Sequence, residues 1–312
     1  MGRPPGGRVG GRGGLGPDRP RPPRGRGGVI LPDLAAVGYE ADRGTKLAVS
    51  AALTQRGGGA RALLVTGAPG TGKTALAEAI AASTGADFFY ALLHPWSGAD
   101  DLFCGVDIRA AVAGEADHVR QPGILAQVAR ASHERELVVV CLDEVDKAPE
   151  ATEALLLDWL QSGRVPLRPG EHIETRLDRV IVVLTSNGGR RHTDALLRRC
   201  RRLRMRPMSQ ELRLRLAAER SGAPAGVVRL IDRACQLVAR AEGNDALSLQ
   251  EISHACREVW EVAEGADDVV DTLVAWAART DECAQQARTH PRLRQLAAAI
   301  WGEVVRARRP VA

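Results

Sequence analysis

The chain has 312 residues, 45% of them apolar and 26% charged, which suits one large globular domain or two ordinary ones with a full core. Its formal charge of +5 is concentrated in residues 1–28, where seven arginines against Asp18 give +6 and leave −1 for everything else, so the remainder lacks the general positive field of a polyanion binder. No run of 18 apolar residues occurs, which excludes a membrane-spanning helix, and the six cysteines show no C-x-x-C spacing, which argues for reduced thiols in a cytoplasm over disulfides or zinc.

Residues 1–28, rich in arginine, glycine and proline, hold almost no apolar side chains to offset the entropy of ordering, and disorder is expected. The tail offers charge for counterion release on nucleic acid or an acidic lipid surface. It has no aromatic residue to stack on a base and no apolar run of a secretory signal. Order is expected from Val29, first as a short extended piece and then as a helix over 43–55 closed by Gly57, Gly58 and Gly59.

An apolar run from Ala62 to Val65 precedes GAPGTGKT, and an alanine-rich helical pattern over 75–82 follows it. Gly67, Ala68, Pro69, Gly70, Thr71, Gly72, Lys73 and Thr74 fit G-x-x-x-x-G-K-[ST], the phosphate-binding loop, in the strand–loop–helix setting it requires. Such a loop turns backbone N–H groups onto an anion at the positive end of the following helix. Lys73 is expected to reach the β- and γ-phosphates of a nucleotide, and Thr74 to place its hydroxyl on Mg²⁺. The segment just ahead of the loop is placed either to cover the base or to pack on the sheet.

Asp87 to Leu93 reads as a second strand, aromatic and buried, followed by His94 and Trp96. Residues 107–123 carry no clear pattern, and 123–134 read as a helix. The run Leu137–Leu142 is continuous and β-branched, as in a strand covered on both faces, and it ends in Asp143 and Glu144. Ligands of open α/β sheets bind at such carboxyl edges. Asp143 is expected to hold the Mg²⁺ complex, and Glu144 to orient and deprotonate an attacking water.

A helix over 149–161, stopped at Gly163, leads to a hairpin turning at Pro169-Gly170. The buried strand Val180–Leu184 then delivers Thr185, Ser186 and Asn187 to the same edge, with Asn187 within reach of the γ-phosphate or the water. Residues 194–205 read as a short helix entering a basic strand, whose arginines suit a solvated face, a nucleic-acid patch or a catalytic arginine aimed at a neighbouring subunit. From Met208 to Gly265 the pattern is helical throughout, with further helices over 269–278 and 291–306. The last aligns Leu293, Leu296, Ala297, Ile300, Trp301, Val304 and Val305 on one face, for packing on its own helical region or for docking a partner.

With these pieces placed, the chain resembles an AAA+ ATPase and, within that class, the MoxR family of the dynein-related branch. The resemblance is carried by Gly38-Tyr39, GAPGTGKT, His94, QPGIL (121–125), LDEVDKA (142–148), LTSN (184–187) and DALLRRC (194–200). It covers 38–206 well and the helical remainder loosely. It implies a P-loop NTPase with a doubly wound parallel α/β sheet of strand order 5-1-4-3-2, a small all-α lid and a C-terminal helical extension. The implied boundaries are a tail (1–28), the nucleotide-binding domain (29–206), the lid (207–265) and the extension (266–312).

The same resemblance implies ATP and Mg²⁺, with Lys73 and Thr74 on phosphate and metal, Asp143 and Glu144 as the Walker B pair and Asn187 as sensor 1. Arg199, with Arg198 close behind, takes the place of an arginine finger supplied in trans, which puts the sites at subunit interfaces of a ring, usually hexameric. The client is then a protein, often one with a von Willebrand factor A domain. The lid departs from the pattern, offering Arg257 without a motif where a sensor 2 arginine is expected. Segments 107–121 and 164–174 resemble client-engaging insertions, and Trp96 is expected to be buried, with pore lining as the alternative. Two other functions fit the residues: a nucleic-acid-directed motor resembling restriction-system AAA+ subunits, using the tail or the strand 201–206, and a non-hydrolysing nucleotide-dependent scaffold. A P-loop kinase does not fit, because the acidic pair and the asparagine suit activation of water.

Overall fold

The computed structural model describes residues 32–55, 59–113, 120–168, 170–243 and 247–309. The expected disordered tail, Gly57, Gly58 and Pro169 lie outside the described residues. Five strands, β1 (Arg61–Thr66), β2 (Asp87–Leu92), β3 (Val138–Asp143), β4 (Val180–Ser186) and β5 (Arg201–Arg204), form one sheet in the order β2-β3-β4-β1-β5. Every neighbouring pair is parallel. Counted along the chain this is the expected 5-1-4-3-2 order, read from the other side.

The alternation of side chains along each strand decides which helices cover which face. Val140, Leu142, Val182 and Leu184 point into one core with α3 (Ile124–Glu134), α4 (Glu150–Ser162) and α5 (Asp194–Arg199). Val139, Cys141, Ile181 and Val183 point into the other, against α1 (Arg43–Leu53) and α2 (Lys73–Thr84). Because β3 and β4 are covered on both sides, their sequences are unbroken apolar runs.

The second strand departs from the sequence expectation. β2 has a single neighbour, β3, so half of it faces outward, and Tyr90 and Leu92 are 45% and 51% exposed. Only Leu93, just past its end, is buried. Trp96, expected in the interior, is 84% exposed. It lies in the turn that leaves this edge, in tilted contact with the His94 ring at 5.9 Å.

Among the described residues of the segment without a clear pattern, Ile108–Ala113 is a short helix and Arg120–Pro122 pairs antiparallel with Cys104–Val106 just ahead of it, while 114–119 lie outside the described residues. Its pieces are too short for periodicity to declare them. Residues 164–174 form the expected hairpin, Arg164–Arg168 paired with Glu171–Glu174.

Beyond β5 the chain is helical, in α6 (Gln210–Ser221), α7 (Ala225–Ala241), α8 (Leu249–Glu261), α9 (Ala266–Ala277), α10 (Asp281–Thr289) and α11 (Pro291–Arg308). The stretch expected to be helical throughout is broken at Gly222–Pro224, where proline cannot continue the preceding helix. Sequence patterning misses α10 because only Cys283 and Ala287 of its nine residues are buried. One hydrophobic cluster runs from Ala217 to Val304. α11 buries Leu293, Ala297, Ile300 and Val304 in it, so its apolar face is used within the chain. Among the described residues no helix is long and apolar enough to cross a membrane.

Candidate active site

The carboxyl ends of β1, β3 and β4 converge on one edge because the three strands are parallel neighbours in register. β1 runs into the glycine-rich loop, whose Gly67 N–H donates to Ser186 O at 3.3 Å, tying the loop to the end of β4. Gly72 caps α2 in a left-handed conformation, φ 88°, and Lys73 and Thr74 open the helix. Gly70 also has positive φ, 75°, and a Cβ there would lie 3.0 Å from Ser248 Cβ. The loop therefore requires glycine at this position both for its turn and for the approach of the helical region.

Lys73 is buried, and its Nζ donates to Gly67 O (3.1 Å) and Ala68 O (2.9 Å). Burial lowers its pKa, against the opposing pull of Asp143, Asp146 and Glu144. The ammonium is thus held inside the loop with three carboxylates nearby. Thr74 Oγ1 donates to Asp143 Oδ2 at 2.9 Å. This hydroxyl–carboxylate pair, on α2 and β3, is a pair of hard oxygen donors of the kind that Mg²⁺ takes together with phosphate oxygens. The sequence placed both residues on the metal, and the fold brings them into contact.

Asp143 has two further donors, to which the sequence assigns no role. Thr185, fully buried in β4, donates to Oδ1, and Tyr90 Oη donates to Oδ2 at 3.1 Å. Burial, and then the Asp143 charge, push the Tyr90 phenol well above its ordinary value, so it stays a donor. Thr185 lies within LTSN, but neither its bond to Asp143 nor that of Tyr90 is written in a motif; the strand register reveals both.

Glu144 is the one non-glycine with positive φ among the described residues, at 57°. Such a conformation persists only where the surroundings impose it. Here Glu144 N–H donates to Thr185 Oγ1 (3.0 Å) and Val145 N–H to Thr185 O (2.9 Å). The carboxylate is held by Asn187 Nδ2, which donates to Oε1 at 2.8 Å, and by Lys147 Nζ, 2.7 Å from Oε2. Asn187 therefore meets Glu144 directly. Its own backbone N–H donates to Asp146 Oδ1 (3.1 Å), and Gly189 N–H donates to Oδ2 (2.7 Å), so Asp146 pins the loop after β4. Those backbone donors outweigh burial and hold the Asp146 carboxyl below its usual range.

Arg198 and Arg199 close α5, a helix of the layer opposite α2. Arg199 Nη2 donates to Gln161 Oε1 at 2.6 Å and Nη1 to Ala195 O at 3.2 Å. Both contacts lie in the α4–α5 layer and neither joins the arginine to the phosphate loop. Arg257 is directed away from the loop as well, with Nη2 donating to Arg220 O at the end of α6.

A cavity of about 560 Å³ separates the phosphate loop (Ala68–Thr71) from the helical region. On its far wall stand Met208, Gln236, Ser248, Arg213 and Arg240. Arg213 is committed to a buried ion pair with Asp232 at 2.6 Å, whereas Arg240 is exposed and donates to Gln236 Oε1 at 3.2 Å. On the other side Tyr39, half-buried against the α1–α2 core, donates its hydroxyl to Gly72 O at 3.4 Å. The segment ahead of the loop thus packs on the core and touches the loop at once.

Residues 62–203 match the family model described as AAA domain (dynein-related subfamily). Among solved structures the chain is similar to a point mutant of RuvB from Thermotoga maritima, with 14% sequence identity and a TM-score of 0.41. That likeness covers 72% of this chain and 61% of the other, so the chain spans less than two thirds of its length. No curated protein matches the chain. The family match falls on the segment that holds the phosphate loop, the acidic pair, Asn187 and the arginine helix in a five-stranded parallel sheet. Residues 62–203 are thus similar to AAA domains of the dynein-related subfamily, and the chain has an AAA+ P-loop NTPase fold followed by a helical region.

Proposed function

We propose that this chain is a MoxR-like AAA+ ATPase, working in the cytoplasm, that hydrolyses ATP at interfaces between copies of itself in a ring, six in the usual arrangement, and thereby remodels or matures a protein partner. The observation that carries the reading is the setting of Glu144, whose carboxylate is fixed by Asn187 beside the Asp143–Thr74 pair at the mouth of the phosphate loop. A water placed there meets a carboxylate already oriented toward it. Lys147, the more exposed partner of Glu144, is a weakly held contact that water displaces readily.

In this reading the backbone of residues 67–72 and Lys73 bind the phosphates, and Thr74 and Asp143 hold Mg²⁺, which neutralises charge on the phosphate oxygens. Residues 29–206 are the nucleotide-binding domain, 207–265 a lid across the cavity, and 266–312 an extension whose last helix, α11, packs on that lid. Arg199, with Arg198 beside it, serves a neighbour's nucleotide. A trans arginine is worth roughly 10³ to 10⁵ in rate in other phosphate-loop enzymes, so turnover belongs to the assembly. A protein with a von Willebrand factor A domain is the partner class that suits this type of ATPase.

Glu144→Gln separates the readings. It is expected to bind ATP as the wild type does and to lose turnover, while wild-type turnover per chain rises steeply with protein concentration. Equal turnover in wild type and Glu144→Gln, with assembly intact, favours the scaffold. Stimulation by DNA or RNA that survives about 150 mM salt favours the nucleic-acid motor.

A further inference from the structure

Glu153 lies in the first turn of α4, its side chain fully buried, and the chemistry above makes no use of it. A buried carboxylate requires partners, and those of Glu153 come from the segment that joins β4 to α5. Thr193, the N-cap of α5, gives Oε1 both its backbone N–H (3.0 Å) and its hydroxyl (2.5 Å). Arg190 Nη2 lies 2.6 Å from Oε2 and also donates to Val145 O at 3.4 Å, in the residue directly after Glu144. His192 Nδ1 is 3.5 Å from Oε2, in a buried ring with neither nitrogen hydrogen-bonded. Burial works to raise the Glu153 carboxyl, but the Thr193 and Arg190 contacts outweigh it and hold the group below its usual range.

The same helix holds the far end of α5, where Gln161 accepts from Arg199. Residues 153 and 161 are eight apart, about 12 Å along the axis, so α4 grips the arginine helix at its cap and at its last residue. An apolar contact would attach a short helix at less desolvation cost than a buried charge pair. What the charge pair adds is a shared tie, because Arg190 bonds the Glu144 turn and the α5 anchor together.

We propose that Glu153 is a positioning residue: through Thr193 and Arg190 it couples α5 to the turn that carries Glu144, so that Arg199 and Arg198 are presented to a second copy's nucleotide in an orientation set by the chain's own site. This rests on reading those arginines as acting in trans. The consequence is a path from one site to the next that runs Glu144, Val145, Arg190, Glu153, Thr193, Arg199, within a single chain.

The test uses the full chain with Glu153→Gln and with the double change Glu153→Met, Arg190→Met, which removes the buried carboxylate together with its half-buried partner and protects folding if the single variant fails. Amide exchange over 194–200 is expected to quicken about tenfold in either variant, the effect of losing a cap, while exchange in α2 and the affinity for ATP stay as in the wild type. Mixing provides the functional arm. Arg199→Ala, whose nucleotide site is intact, is expected to regain turnover when mixed with Glu144→Gln, which still offers its arginines. A Glu144→Gln, Glu153→Gln donor is expected to restore less than a tenth of that. Unchanged exchange over 194–200 overturns the proposal whatever the turnover, and faster exchange with full rescue by the double donor overturns it too. If Glu144→Gln itself gives no rescue, the trans reading of the arginines fails instead, and with it the presentation of α5 to a neighbour.

Discussion

Thr185→Val removes one oxygen at nearly constant shape, and that oxygen serves the carboxyl-edge residues Asp143 and Glu144 at once. The hydroxyl accepts from Glu144 N–H at 3.0 Å and donates to Asp143 Oδ1, inside a strand where Thr185 is fully buried. Valine leaves the Glu144 N–H without an acceptor, at a cost of about 1–3 kcal/mol. That N–H belongs to a residue at φ 57°, a conformation strained by about 1–2 kcal/mol for an L-residue. Relaxation toward ordinary φ is therefore expected, and it carries the Glu144 carboxylate off Asn187. Asp143 keeps Thr74 and Tyr90, so the Thr74–Asp143 pair proposed to hold Mg²⁺ survives. Urea unfolding should show stability lower by about 1–3 kcal/mol, and ATP turnover should fall about 10²-fold, the scale of misplacing a reacting group by 1 Å. Nucleotide affinity should hold within about threefold, a change under 1 kcal/mol, and Thr185→Ser should restore both properties. A Thr185→Val protein with wild-type turnover and an unchanged urea midpoint would refute the claim that this hydroxyl sets Glu144.

Those parts of the fold and site that depend on local chemistry were legible in the sequence. The apolar runs of β3 and β4, the phosphate-loop spacing and the acidic pair are each written in consecutive residues, and parallel pairing follows once strands alternate with helices, whereas the order of the strands comes from the resemblance. Edge position is not written this way. β2 is as aromatic as a core strand, DFFYAL, yet it lies at the margin, where Tyr90 turns toward Asp143. Trp96 was misread for the same reason, since a large apolar side chain argues for burial only where a surface exists to cover it. Thr185 and Asp146 lie within LTSN and LDEVDKA and Glu153 in a helical pattern, but their bonds are illegible because they arise from strand register and between segments 40 or more residues apart in sequence. Threonine and glutamate in apolar surroundings are a signal that something polar is buried opposite, but the signal does not name the partner. The path of Arg199 was half legible: its place at the end of α5 follows from the motif, its bond to Gln161 does not.

Two further perturbations test how the site is supported. Gly123→Ala would put a Cβ 2.5 Å from Leu102 C and 2.6 Å from Asp101 O and Phe103 N, all backbone atoms; these cannot give way as a side chain does, so stability should fall by about 1–3 kcal/mol or more, and a thermal midpoint equal to the wild type would refute the close approach. Asp146 supplies the pH test. Backbone donors at Asn187 and Gly189 hold its carboxyl below the ordinary range even though burial opposes them. A carboxyl whose folded pKa is depressed binds its proton more readily when the chain unfolds, so its contribution is fully present above the unfolded value of about 4 and is lost as pH falls through the folded value. Asp146→Asn deletes that contribution and leaves an amide that can offer only one acceptor oxygen to the two N–H groups. Urea midpoints measured from pH 7 down to about pH 2.5 should therefore show the variant less stable at neutral pH and the two curves converging below about pH 4. Curves that stay parallel across that range would mean that Asp146 carries no linked proton, and that the loop bearing Asn187 is held by packing alone.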